Sequence, residues 1–249
     1  MSGHSKWHTI KHKKGAADAK RGKIFTRIIK ELTIAAKLGG GDPDANPRLR
    51  TVIAEAKSHN MPAENIRRAI RRGTGEEEGV SYEEVTYEGY GPGGAALIIE
   101  TMTDNRNRTV GELRHLLSKH GGSLGEVNSV AWMFDKKSLV TLAREKAEED
   151  VLMEAVLNAG AEDLKDEAGV WQIISPVDAH QAVVDAVRAL GVEPDSAQVA
   201  MLPQSYVKLE GRNAQQMLKL MEVLEDHDDT KNIWSNFDVE EQEIEASLA

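Results

Sequence analysis

Residues 85–102 read VTYEGYGPGGAALIIETM. Up to residue 76 the apolar residues recur with a helical period, and after it the period is that of strands. VTYEGY (85–90) and AALIIETM (95–102) read as two strands joined by the turn GPGG (91–94). This change of period within one chain predicts an α+β protein built from more than one domain.

Working back toward the N-terminus, GKIFTRIIKELTIAAKL (22–38) sets Ile24, Phe25, Ile28, Ile29, Leu32, Ala35 and Ala36 on one helical face. Gly39, Gly40 and Gly41 stop that helix. Asn46 caps a second helix with Pro47 at its first position, and Leu49, Val52, Ile53 and Ala56 point inward. A third helix starts at Pro62 and is closed by Gly73. Three short helices with short connections predict a small helical domain over residues 22–76. Residues 1–21 lack any sustained apolar period and read as a flexible basic arm that orders on binding.

Working forward, Thr109 is expected to cap a helix, with Glu112 at the capping-box spacing and Val110, Leu113, Leu116 and Leu117 buried. VAWMF (130–134) reads as a strand. Residues 138–202 then run strand SLVTL, helix 147–159, strands EDLK (162–165) and GVWQII (169–174), a helix opened by Ser175 and Pro176, and strand SAQVAML. That order is βαββαβ, the ferredoxin-like split unit. YVKLE (206–210), a helix capped by Asn213, and NIWSNF (232–237) follow, and the tail EEQEIEASLA is expected to fray. The predicted fold is α+β and multidomain: an N-terminal three-helix domain plus two α/β domains. The ferredoxin-like unit (136–203) is inserted into a discontinuous middle α/β domain (80–135 and 204–240), whose sheet the C-terminal strand completes.

The 249 residues are 29% charged and 40% hydrophobic, as in a globular protein. No apolar run approaches the roughly 20 residues of a membrane helix, and no secretory or transit signal is evident. The absence of cysteine excludes disulfides, thiol nucleophiles and thiolate metal sites, and fits a reducing cytoplasm. Charge is divided unevenly along the chain. Residues 1–75 hold 17 Lys and Arg against 6 Asp and Glu, while residues 76–249 hold 14 against 35. A basic block of this size suits a polyanion, and the acidic remainder would be repelled by it, so docking is expected from one end.

Within the arm, Lys6, Lys11, Lys13, Lys14, Lys20, Arg21 and Lys23 offer seven cations, and Trp7 offers a ring for base stacking, a contact worth roughly 1–3 kcal/mol. On the third helix Arg67, Arg68, Arg71 and Arg72 share one face, suited to phosphate. Two of them would suffice to satisfy the helix dipole. Asn105, Arg106, Asn107 and Arg108 lie between a strand end and a helix start. They read either as an anion site or, with Asp104, as local turn and capping partners. His4, His8 and His12 have a helical spacing, but lysines surround them and oppose a dication, so no metal site is expected. EGYGPGG (88–94) is a tight turn rather than a phosphate loop, and His115 and His120 have no adjacent nucleophile. No catalytic constellation, cofactor or small-molecule substrate is expected.

GHSKWHTIKHKKGAADAKRGKIF, GGGDPDANPRLR, YEGYGPGG, DNRNRT and KHGGSLG occur here in that order. In these stretches the chain resembles the YebC/PmpR-like family, which includes the mitochondrial translational activator of cytochrome oxidase subunit I. The resemblance implies a helical first domain, two α/β domains and a cytoplasmic bacterial protein. It also implies a DNA-binding transcriptional regulator or, as in other members, a ribosome-associated translation factor that relieves stalling. The stretches that the resemblance makes functional are the basic arm and the loop Asn105–Arg108. From the residues alone, an arm rich in lysine and the lack of a helix-turn-helix signature lean toward structured RNA. The family description leans toward transcription. Both readings share a non-enzymatic nucleic-acid-binding regulator of gene expression.

Overall fold

The computed structural model describes Trp7 and residues 20–167, 169–240 and 242–244; of residues 20 and 21 it describes the backbone alone. The expectations for Lys6, Lys11, Lys13, Lys14 and the histidines at 4, 8 and 12 therefore lie outside the described residues.

The helical end consists of α1 (Lys20–Gly39), α2 (Pro47–Ser58) and α3 (Ala63–Thr74). The expected stripe is buried: Ile28, Leu32, Ala35 and Ala36 of α1 pack with Leu49, Val52 and Ala56 of α2 and with Ile66 and Ala69 of α3. Asn46 joins α1 to α2. Its Oδ1 accepts from Leu49 N at 3.0 Å, while its amide donates to Ala35 O and Gly40 O at 2.8 and 2.9 Å. An N-cap of this kind is worth about 1 kcal/mol. Gly73 does not close α3. The helix continues to Thr74, and Gly75, at φ 82°, takes the left-handed closing position. Gly73 is needed for contact between helices, because a Cβ there would stand 2.4 Å from Thr33 O of α1.

The expected hairpin forms β1 (Glu83–Tyr90) and β2 (Ala96–Thr103), antiparallel, with Glu83 opposite Thr103 and Tyr90 opposite Ala96. Helix α4 (Arg106–Lys119) follows, and then the short β3 (Ser123–Leu124). The chain leaves to build the ferredoxin-like unit and returns through β8 (Val207–Lys208), α7 (Gly211–Glu225), β9 (Thr230–Ser235) and β10 (Phe237–Asp238). The sheet order is β3-β1-β2-β9, so the C-terminal strand completes the sheet as expected, while β8 and β10 pair separately and in parallel. One face buries Leu97 and Ile99 against Leu113 and Leu117 of α4 and Met217, Leu220 and Leu224 of α7. The other packs Ala96, Ile98 and Trp234 against Phe134, Leu139 and Ala200 of the ferredoxin-like unit. Strand β2 is covered on both sides and is therefore buried at nearly every position, with an unbroken apolar run from Ala96 to Ile99.

The inserted unit comprises β4 (Phe134–Ala143), α5 (Glu149–Asn158), β5 (Asp163–Glu167), β6 (Val170–Ser175), α6 (His180–Ala189) and β7 (Ser196–Pro203). Its order is β5-β6-β4-β7, antiparallel throughout. Val140, Leu142, Trp171 and Ile173 meet Leu152 and Val156 of α5 and Val183 and Val187 of α6. Among the described residues no helix is long and apolar enough to cross a membrane.

Four local expectations are corrected. Residues 130–134 are not a strand: Ala131–Met133 form a 3-10 turn and the strand begins at Phe134. The buried Glu88 carboxylate takes the N–H groups of Val130 and Ala131 at 2.8 Å, so they cannot join a ladder. Asn105, not Thr109, caps α4, accepting from Arg108 N at 3.1 Å, and Thr109 is buried one turn in. Helix α7 starts at Gly211, two residues before Asn213, and Gly211 N–H donates to Glu243 Oε1 at 3.0 Å. In the tail, residues 242–244 are helical and Ile244 is buried in the core of the β1–β2 sheet.

Candidate nucleic-acid interface

The face expected on α3 exists. Burial of Ile66 and Ala69 turns Arg67, Arg68, Arg71 and Arg72 outward, each partly exposed. They are not free cations. Arg67 and Arg71 pair with Glu64 at 2.9 and 3.4 Å, and Arg71, Arg68 and Arg72 surround Glu77 at 3.1, 3.8 and 3.4 Å. Hydrogen bonds from Arg67 and Arg71 hold the Glu64 carboxyl below its ordinary pKa, so it stays charged. Four guanidinium groups against two carboxylates leave a surplus of positive charge on this face. The cap at Pro62 and the four-residue turn from α2, with Asn60 at φ 57°, present α3 at the edge of the helical end.

Trp7 is a correction. Its ring is 1% exposed, lies in the core against α7 and donates from Nε1 to Glu225 Oε1 at 2.8 Å. A ring so enclosed has no face for a base. Its apolar surface is worth more within that buried cluster than in water. Lys23 is committed to the same region, donating to Asp226 O at 2.8 Å. Lys20 and Arg21 lie in the first turn of α1.

The loop 105–108 has the geometry of the capping alternative. Asn105 fills the helix N-terminus, Arg106 pairs with Glu83 at 3.0 Å, and Arg108 bridges Asp104 and Asp229, both at 2.8 Å. Asn107 is exposed. Arg106 and Arg108 thus already have carboxylate partners, and Asn105 occupies the helix N-terminus.

Arg108 belongs to a buried ionic joint that the sequence did not disclose. Asp229, 3% exposed, accepts from Lys30 Nζ of α1 at 2.7 Å, from Arg108 at 2.8 Å and from Thr109 Oγ1 at 2.7 Å. Burial would raise the Asp229 carboxyl, but these three hydrogen bonds outweigh it and hold it well below the usual carboxylate range. Lys30 also donates to Met102 O and Asp228 O. Beside it, Arg48 bridges Glu31 and Glu84, and Lys231 pairs with the same two carboxylates at 2.9 and 3.0 Å. Burial raises Glu84, but Arg48 and Lys231 bring its pKa down to about 2. Lys30 stands one residue off the apolar stripe of α1, and Asp229 sits in the acidic run DHDDT, which reads as a solvated face; only pairing across the fold marks them.

A cleft of about 2700 Å³ opens between α1, α2 and the two sheets. Lys23, Arg27, Arg48 and Lys136 line it together with Glu55, Glu84, Glu100 and Asp195. Such mixed charge gives no uniform field for a polyanion. Glu112, His227 and Asp229 approach one another there, but Lys30 and Arg108 already neutralise Asp229, which leaves little for a cation.

Three helices, a four-stranded sheet and an inserted ferredoxin-like unit, joined by a buried ionic cluster, define a class of three-part α+β proteins with one basic end. Residues 5–76 match the family model described as the TACO1/YebC protein N-terminal domain, and residues 82–237 match the TACO1/YebC second and third domain. The chain belongs to the TACO1/YebC family. It is 61% identical over 243 residues to a protein of Acidobacterium capsulatum named "probable transcriptional regulatory protein", covering 98% of each chain. It is 57% identical over 245 residues to one of the same description from Koribacter versatilis, again covering 98% of each. Among solved structures it is similar to a conserved hypothetical protein of Aquifex aeolicus, at 42% identity and a TM-score of 0.82, over 90% of this chain and 92% of that one.

Proposed function

We propose that this chain is a regulator of gene expression that binds nucleic acid from its basic end, with transcriptional control through DNA as the first reading. The observation that carries it is the separation of charge: residues 1–75 hold 17 cations against 6 anions, and on α3 four arginines outnumber their two carboxylate partners. The names of the relatives support the regulatory part. The division into arm (1–21), helical domain (22–76), middle domain (80–135 and 204–240) and ferredoxin-like domain (136–203) belongs to the same proposal. The first two parts grip phosphate and the acidic parts stand clear of it. The second reading is a translation factor on ribosomal RNA. Either reading places a soluble binding protein in the cytoplasm and assigns it no catalytic step.

The test is a binding titration of the full chain with a duplex DNA and an RNA hairpin between 50 and 200 mM salt. Replacing Arg67, Arg68, Arg71 and Arg72 by alanine removes about two uncompensated charges, so the log–log salt slope should fall by about 2 at roughly 0.9 per phosphate. An unchanged slope in a variant of wild-type circular dichroism removes α3 from the interface. Tighter binding of the hairpin than of the duplex at equal salt moves the reading from DNA to RNA.

A further inference from the structure

Of the four tryptophans in the chain, Trp7, Trp171 and Trp234 are buried, whereas Trp132 is 67% exposed. It ends the loop between β3 and β4, in which Val127 is 83% exposed. An exposed apolar pair in a loop is ordinary where the loop is loose, but this loop is tightly built. Glu88 of β1, a residue 7% exposed, accepts from the N–H groups of Asn128, Val130 and Ala131 at 2.7, 2.8 and 2.8 Å. Burying a carboxylate is costly unless such bonds compensate it, and all three bonds go to this loop. Asn128 is held at φ 66°, and a Cβ on Gly125 would meet Ser129 Oγ at 2.4 Å. Ser129 O accepts both the Tyr90 hydroxyl at 3.1 Å and Trp132 Nε1 at 3.2 Å. The indole N–H is thus satisfied inside the loop, and the exposed ring has no polar demand of its own.

We propose that Trp132 is a stacking platform for one unpaired nucleobase, which rests on the nucleic-acid reading above and adds to it a contact on the second part of the molecule. Scale argues for a base rather than a protein partner. A stable protein interface takes about 800 Å² per partner, and the other exposed large apolar side chains, such as Leu38, Val80 and Val151, are spread over separate elements. A single held ring matches a single base, and stacking needs no phosphate at that point, so the acidic surroundings do not oppose it.

The experiment uses the full chain with two probes, a 12-nucleotide single-stranded RNA and a blunt duplex of the same sequence. Binding of the single strand should quench the solvent-exposed tryptophan emission, a change that Trp132→Phe abolishes while keeping affinity close to wild type. Trp132→Ala should weaken single-strand binding about 5- to 150-fold, with duplex affinity and salt slope unchanged, because a stack and no ion pair is lost. If wild type binds in a salt-dependent way but Trp132→Ala binds the single strand as tightly, the platform is refuted and the nucleic-acid reading stands. The ring is then left for a protein surface. If wild type binds neither probe, the broader reading fails and the platform with it.

Discussion

Replacing Asp229 by alanine should uncouple the helical end from the rest of the protein. Asp229 and Lys30 are 4% and 7% exposed at their side chains and 2.7 Å apart. With the carboxylate gone, the ammonium stays buried with Met102 O and Asp228 O, at 3.1 and 3.0 Å, and the Tyr82 ring, but no counter-charge, and Arg108 and Thr109 lose a partner as well. Removing one member of a buried pair costs about 3–5 kcal/mol. Lys30→Met should cost less, about 1–2 kcal/mol, because Asp229 keeps Arg108 and Thr109. The double variant should be less destabilised than the sum of the two by roughly 1–3 kcal/mol. Urea unfolding can follow both ends at once: none of the four tryptophans lies within residues 20–76, so their emission reports the sheets, while far-ultraviolet circular dichroism reports the helices too. Wild type should show coincident transitions, and Asp229→Ala should show the ellipticity falling first. The pH dependence has a fixed sign. Asp229 is depressed in the folded state, so its contribution is complete above the unfolded value of about 3.9 and is lost as pH falls toward the folded one. The gap between wild type and Asp229→Ala should therefore be constant near neutrality and shrink below about pH 4. A cost under about 1 kcal/mol with coincident transitions would refute the joint.

Trp7→Ala should destabilise the protein by about 3–5 kcal/mol, as truncation of a buried aromatic does, read as a lower thermal midpoint; a neutral substitution would show that the ring is not core. Glu88→Ala leaves three loop N–H groups without an acceptor and should cost roughly 3 kcal/mol while moving Trp132 emission, since that loop holds the ring. In the folded wild type the backbone donors hold the Glu88 carboxyl low despite burial, so its contribution is present above about pH 4.3 and lost as pH falls through the folded value. Emission from Trp132 that is indifferent both to the substitution and to acid would remove Glu88 from that role.

The amino-acid sequence by itself determined the elements whose signals are periodic. The apolar stripe of α1, the hairpin at GPGG, the βαββαβ order and the existence of a closing strand, expected at 232–237 and found at Thr230–Ser235, all follow from side chains repeating at 3.6 or 2 residues, which local geometry alone imposes. The cap at Asn46 is local in the same sense, because its acceptor reaches only three residues along. Tertiary structure decided everything that depends on partners far apart in the chain. Glu88 captures N–H groups about 40 residues away and turns an expected strand into a loop. Asp229 takes Lys30 and Arg108 out of the pool of cations that charge counting assigns to a ligand. Trp7 is drawn into a core formed mostly by residues beyond position 95, while Trp132, which the sequence places in a strand, is left in solvent on a turn. A charge or a ring has the same identity in either setting. Its role is set by what the fold brings within about 3 Å of it, and sequence distance carries no record of that.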